Sequence, residues 1–141
     1  MSVHSRKRKE SELEFYKNGK ELRAEFTRYL MSEKYVPKRY SFVFRLPGID
    51  LVREMMEEIT AANTIYPTTP EQLLKRKEHQ QSALIKCEQI IQHIQWMNDT
   101  LQSVTLTSLD RVSEMAIYQA TLLRKWRDSS KIMEHKKGAN S

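Results

Sequence analysis

Between Pro70 and about Ser103 the chain contains no glycine and no further proline, and its apolar residues return every seven positions. Three such columns run side by side: Ala83, Ile90, Met97 and Val104; Leu84 and Ile91; Cys87, Ile94 and Leu101. A seven-residue recurrence sets side chains on one stripe of an α-helix, whereas strand side chains alternate with a period of two. Some thirty residues at a rise of about 1.5 Å make a helix roughly 45 Å long. Such a helix has to lie along neighbours of comparable length rather than inside a small globule. Its start is marked as well. Thr69 supplies a capping oxygen, Pro70 suits the first turn, Glu71 suits the positive helix end, and Gln72 completes a Thr-x-x-Gln capping box.

The remaining segments supply the neighbours. Residues 12–33 place Phe15, Leu22 and Tyr29 seven apart, with Phe26 and Leu30 on the same side and Glu12, Glu14, Glu21 and Glu25 elsewhere. Pro37 disfavours helical geometry in the residue before it, so this first helix is expected to stop near Tyr35. A second is expected to follow Pro47, with Ile49, Val52, Met56 and Ile59 in one stripe and Leu51, Met55 and Ala62 in another. Thr107 or Ser108 is expected to cap a fourth helix carrying Leu109, Val112, Met115, Ala116, Leu122, Leu123 and Trp126. Residues 40–46, YSFVFRL, have the composition of a strand, but a lone strand has no partner here, so they are assigned to a helix start or an extended joint. The expected fold is all-α: an up-down-up-down four-helix bundle over residues 12–130, packed at about 20°. A basic tail at 1–11 and a frayed basic tail at 131–141 are expected to flank it.

Composition narrows the alternatives. A chain of 141 residues allows one ordinary domain, and 3 Gly with 4 Pro provide too few turns for a β-sandwich or barrel. The single cysteine excludes an intrachain disulfide or a cysteine-rich zinc site. No run approaches the ~18 apolar residues of a membrane span. The basic N-terminal stretch lacks the apolar core of a signal peptide, so a cytoplasmic location with no membrane association is expected.

The formal net charge of +6 is unevenly placed. Residues 1–9 carry +4, residues 34–45 carry +4 and residues 124–141 carry +4, while 10–33 carry −2 and 46–123 carry −4. A polyanion would therefore meet the basic patches rather than the whole surface. A plainer reading also stands, in which the terminal patches are solubilising tails and a helix end.

Catalytic and metal-binding signals are absent from the pattern. His79, Cys87 and His93 lack the three- or four-residue spacing that aligns ligands on a helix face, and Cys87 falls in an apolar column. There is no HExxH, Gly-rich phosphate loop or nucleophile elbow. The sequence therefore points to a non-enzyme without cofactor or metal.

Two places suit binding. In the joint from Lys34 to Arg45, Lys38, Arg39 and Arg45 stand among Tyr35 and Tyr40; cations neutralise phosphates and Tyr faces stack on unpaired bases. Alternatively, Tyr35, Tyr40 and Phe42 close the end of the bundle while the cations face water. In the last helix Arg124, Lys125 and Arg127 surround Trp126, where they also compensate the helix dipole. Lys75 and Arg76, with Lys77, form a third cluster near a helix N-terminus, where the dipole does not favour them.

The run Tyr-Val-Pro-Lys-Arg-Tyr-Ser-Phe at residues 35–42, the following IDLVREMMEEITAAN, the long helix after a Thr/Pro break and the last helix ending at Trp126 together resemble a group of small bacterial four-helix-bundle proteins. That group includes the accessory variability determinant of diversity-generating retroelements and the proteins encoded by intervening sequences in 23S ribosomal RNA genes. The resemblance spans about residues 20–128. It implies a basic homo-oligomer, a pentamer, that binds RNA or DNA and, in the retroelement members, a partner reverse transcriptase during mutagenic copying. It places Lys38 and Arg39, and more loosely Arg124, at positions of the shared pattern. The alternative function is a protein-interaction or scaffolding module that binds no nucleic acid.

Overall fold

The computed structural model describes residues 13–101 and 106–134, with backbone only for 106–108. Four α-helices account for most of them: α1 (Glu14–Leu30), α2 (Leu46–Asn63), α3 (Pro70–Thr100) and α4 (Leu106–Ser129). There is no strand among the described residues. Each helix packs on its neighbour in sequence, and α1 closes the ring against α4. Contacts such as Glu58–His79 with Phe44–His93, and Asn18–Gln119 with Glu25–Arg111, run with one number rising as the other falls, so adjacent helices are antiparallel. The expected all-α four-helix bundle is the observed fold. No described helix is long and apolar enough to cross a membrane.

The seven-residue columns of α3 are its buried face. Ala83, Leu84, Cys87, Ile90, Ile94, Met97 and Leu101 are all buried, and Phe26, Leu22, Met55, Ile59 and Leu123 meet them from the other helices. Val104 lies outside the described residues. The capping box forms with one shift: the Gln72 N–H donates to Thr69 Oγ1 at 3.2 Å, but Gln72 Oε1 accepts from the N–H of Thr68 at 2.7 Å rather than from that of Thr69. Helix α4 is already helical at Leu106, so Thr107 and Ser108 sit in its first turn instead of capping it.

Two glycines let the helices approach closely. A Cβ on Gly19 would lie 2.7 Å from Met56 Sδ and 2.9 Å from Gln119 Nε2, and one on Gly48 would lie 2.7 Å from Leu30 Cδ1 and 3.2 Å from the His93 ring. At the first crossing the helices exchange polar contacts. Asn18 Nδ2 donates to Gln119 Oε1 (2.9 Å), and Gln119 Nε2 donates to the Phe15 carbonyl (2.8 Å), so both buried amides find partners.

The joint between α1 and α2 departs most from expectation. Helix α1 stops at Leu30, well before Tyr35, and the chain turns through Ser32, whose carbonyl accepts from the N–H groups of Tyr35 and Val36. A 3-10 turn (Lys38–Tyr40) then leads into a π-helical turn (Ser41–Arg45) that continues directly into α2. Pro47 therefore takes the first turn of α2, where a proline was expected, but the helical path already starts in the two short turns before it. The physical reason lies in the proline itself: lacking an N–H, it cannot complete the α-helical ladder with the preceding turn. A widened turn, in which the Leu46 N–H reaches five residues back to the Ser41 carbonyl, carries the helix past this gap.

The first part of the C-terminal segment is anchored rather than frayed. After α4, the Met133 N–H donates to the Pro67 carbonyl at 2.7 Å, and the Tyr66 hydroxyl donates to the Glu134 carbonyl at 3.1 Å. The basic tail expected at 1–11 and residues 135–141 lie outside the described residues.

Candidate nucleic-acid interface

The antiparallel order sorts the candidate residues into two groups at opposite ends of the bundle. Lys38, Arg39, Tyr40 and Arg45 belong to the α1–α2 joint. Lys75, Arg76, Arg124, Lys125 and Arg127 collect at the other end, where the first turns of α3 meet the last turns of α4. Measured along α3, Lys75 stands about 27 Å from His93, which meets Phe44 of the joint, whereas Glu88, the partner of Arg124, stands only about 8 Å from it. The candidates are therefore spread along the bundle rather than gathered in one patch.

At the α4 end the arginines are engaged in structure. Arg76 Nη1 donates to the Ile65 carbonyl at 2.8 Å, just past the C-terminus of α2, and its guanidinium lies 5.6 Å from the centre of the Trp126 ring. Trp126 in turn stacks on Phe15, with ring centres 3.9 Å apart. Arg124 pairs with Glu88 at 3.0 Å; Arg127 bonds Gln81 Oε1 at 2.6 Å and Asp128 at 2.9 Å. Lys75 and Lys125 are exposed and have no ion-pair partner among the described residues.

At the joint one of the four candidates is similarly engaged. The Arg45 guanidinium is largely buried and donates to the carbonyls of Leu30 at 2.9 Å and Val36 at 2.7 Å, with Glu33 at 3.4 Å. It thereby satisfies the end of α1, where carbonyls have no helical donor. Lys38 and Arg39 remain exposed. Arg39 lies over the Tyr40 ring, 5.1 Å from its centre, and Lys38 has no acidic partner among the described residues. Lys34 is likewise exposed, 5.4 Å from the centre of the Tyr35 ring.

The aromatic residues of the joint divide between the two roles considered for them. Tyr35 stacks on Tyr29 with ring centres 4.4 Å apart, and Tyr40 leans on the fully buried Phe44 at 5.8 Å, so these rings help close the bundle. Phe42 does the opposite: 83% of its surface is open to solvent. Sequence reasoning grouped Phe42 with the closing rings and left it out of the candidate site. Helical register was the missing signal, since residues two apart on a helix point in nearly opposite directions and Phe42 and Phe44 cannot both face inward.

The histidines and the cysteine do not form a site with them. His93 is buried against Phe26, Phe44 and Trp96, and its Nε2 meets the Phe44 carbonyl at 2.8 Å; a carbonyl only accepts, so Nε2 carries the proton. Burial lowers the His93 pKa from its ordinary value, and the bond to Phe44 offsets this only in part. Burial pushes the Cys87 thiol up to about 12, and its Sγ donates to the Ala116 carbonyl at 3.3 Å, as suits a core residue. No three His, Cys, Asp or Glu side chains converge as metal ligands among the described residues.

No protein-family model, no curated protein and no solved structure matches this chain.

Proposed function

We propose that the protein is a non-enzymatic accessory protein that binds single-stranded RNA or DNA at the α1–α2 joint. The observation that carries this reading is the Phe42 ring standing in water four and three residues after the exposed Lys38 and Arg39, neither of which has an acidic partner among the described residues. Backbone phosphates pair with the cations, and a base released from pairing stacks on the ring. Duplex ends and loops offer such bases; the interior of a duplex does not. The π turn supports this use, because it holds Phe42 on a rigid helical segment anchored by Arg45 and Phe44. A partner reverse transcriptase and a five-fold assembly are implied by the resemblance alone.

Fluorescence anisotropy with labelled single-stranded RNA and DNA at low salt tests the reading. Binding is expected to weaken steeply with salt, and Phe42→Ala is expected to cost about 1–3 kcal/mol of affinity. Absence of binding to either strand type at low salt overturns it.

A second reading has its own support. Val43 and Leu46 are exposed next to Phe42 on the same helical face, and Met31 is exposed at the end of α1, which suits docking of another protein. In that case Leu46→Ser disrupts a protein complex and leaves nucleic-acid affinity unchanged.

A further inference from the structure

The outward face of α3 carries a feature that the nucleic-acid reading does not use. Leu74, Ile85 and Trp96 are exposed at 61%, 46% and 49%. They are spaced eleven residues apart, and eleven residues complete just over three helical turns, so the three share one line about 33 Å long. That line lies opposite the buried columns of Ala83, Cys87, Ile90 and Ile94. Between its apolar members stand Gln81 and Gln92, and acids lie along it at Glu78, Glu88 and Asp99.

The two halves of the line differ in shape. Near the α4 end, Leu74, Gln81 and Ile85, flanked by Lys77 and Arg127, line a predominantly apolar surface groove of about 510 Å³. Near the joint end, Trp96 stands half-exposed, its inner edge packed on Phe44 at 4.7 Å between ring centres. A groove and a projecting ring equidistant from Ile85 are related by reversing the helix about that residue. This is the requirement for a two-fold interface, in which one patch must complement itself.

We propose that two copies of this chain pair through α3, antiparallel across a two-fold axis at Ile85, with Trp96 of each copy entering the groove beside Leu74 of the other. Charge selects this orientation. Parallel pairing in register would set Glu78, Glu88 and Asp99 each against its own copy. Antiparallel pairing brings Arg127, which sits at the level of Gln81, to the level of Glu88 in the second copy, sets Glu78 near the uncharged Gln92, and leaves Glu71 with Asp99 as its one acidic pair in place of three. A single helix face is a small contact by the standard of stable dimers, so the pair dissociates on dilution. The pairing touches the joint only through Trp96, whose inner edge rests on Phe44.

Sedimentation or light scattering of the full chain over about 1–100 µM tests the pairing. Twice the chain mass of 16.8 kDa at the upper end is the expected result; a monomer throughout, or a five-fold particle, overturns it. Ile85→Arg, which sets two cations together on the axis, is expected to give a monomer with unchanged helical circular dichroism. An unchanged dimer overturns the interface. Orientation is read by cysteine cross-linking in a Cys87→Ser background. Ile85→Cys alone should form a covalent dimer, and Leu74→Cys should do so only when mixed with Trp96→Cys; cross-linking of Leu74→Cys with itself shows parallel pairing and overturns the proposal.

Discussion

At each end of the bundle an arginine braces the corner that follows a helix, yet the two ends use their remaining arginines differently. Arg45 closes the end of α1 through the Leu30 and Val36 carbonyls, and Arg76 closes the end of α2 through the Ile65 carbonyl. At the α4 end the remaining arginines also find partners, in Glu88, Gln81 and Asp128, and Trp126 is drawn in between Phe15 and Arg76. At the joint, Arg39, Lys38 and Phe42 are left facing solvent. Positive charge in a sequence therefore has two destinations. A guanidinium that reaches a helix terminus satisfies carbonyls there and is withdrawn from ligands. A cation on a short turn beyond that terminus stays available.

The strongest test of this contrast uses two rings of one turn. Phe44→Ala removes a fully buried ring that touches Tyr40, His93 and Trp96, and is expected to cost about 3–5 kcal/mol in denaturant unfolding. Phe42→Ala should change stability by no more than about 0.5 kcal/mol while weakening nucleic-acid binding. Equal loss of stability in the two variants would erase the distinction between core ring and exposed ring.

The braces come next in size. Arg45→Ala leaves the Leu30 carbonyl at the end of α1 and the Val36 carbonyl of the joint without this donor and is expected to cost about 2–3 kcal/mol, and Arg45→Lys should not restore it, because an ammonium lacks the planar fork that reaches both. Arg76→Ala, with one such carbonyl and a ring face, is expected to cost about 1–2 kcal/mol. Thermal unfolding of the three variants ranks them.

Acid is expected to loosen the joint rather than the α4 end. His93, buried between the joint and α3, has a folded pKa below its unfolded value of 6.5, so the unfolded chain takes up a proton first. Its contribution is complete above pH 6.5 and is lost as pH falls from there through the lowered folded value. Urea midpoints measured across this window should fall with pH, and His93→Gln should flatten that part of the profile.

The smallest effect is on binding alone. Removing Lys38 and Arg39 together should reduce the salt slope of single-strand binding by about 1.4, at about 0.7 for each phosphate that is no longer neutralised. Removing Lys75 and Lys125 should leave the slope unchanged. A reversed result would move the interface to the α4 end.

Helix number, the length of α3 and its capped start were legible before any coordinates, because they follow from local preference and from apolar spacing along one segment. The inward faces of α2 and α4 were legible for the same reason. The joint was not. Pro47 read as a first-turn residue and is one, and YSFVFRL was left between a helix start and an extended joint, but nothing local announces that a widened turn will carry the chain into a proline. The candidate site was half legible: its residue types stood out, but which cations were already engaged depended on partners fifteen residues away for Arg45 and thirty-six away for Arg124.

Period and punctuation alone determined that this chain is a bundle of four helices, since a helix of some thirty residues with one apolar side can hide that side only against others of its kind. Only the tertiary structure decided that Gly19 and Gly48 are crossing points, that Asn18 and Gln119 bury their amides together, and that Phe42 points outward while Phe44 points in. Those outcomes depend on where a neighbouring helix lies, and hydrogen-bond satisfaction and van der Waals packing are settled between segments far apart in the chain.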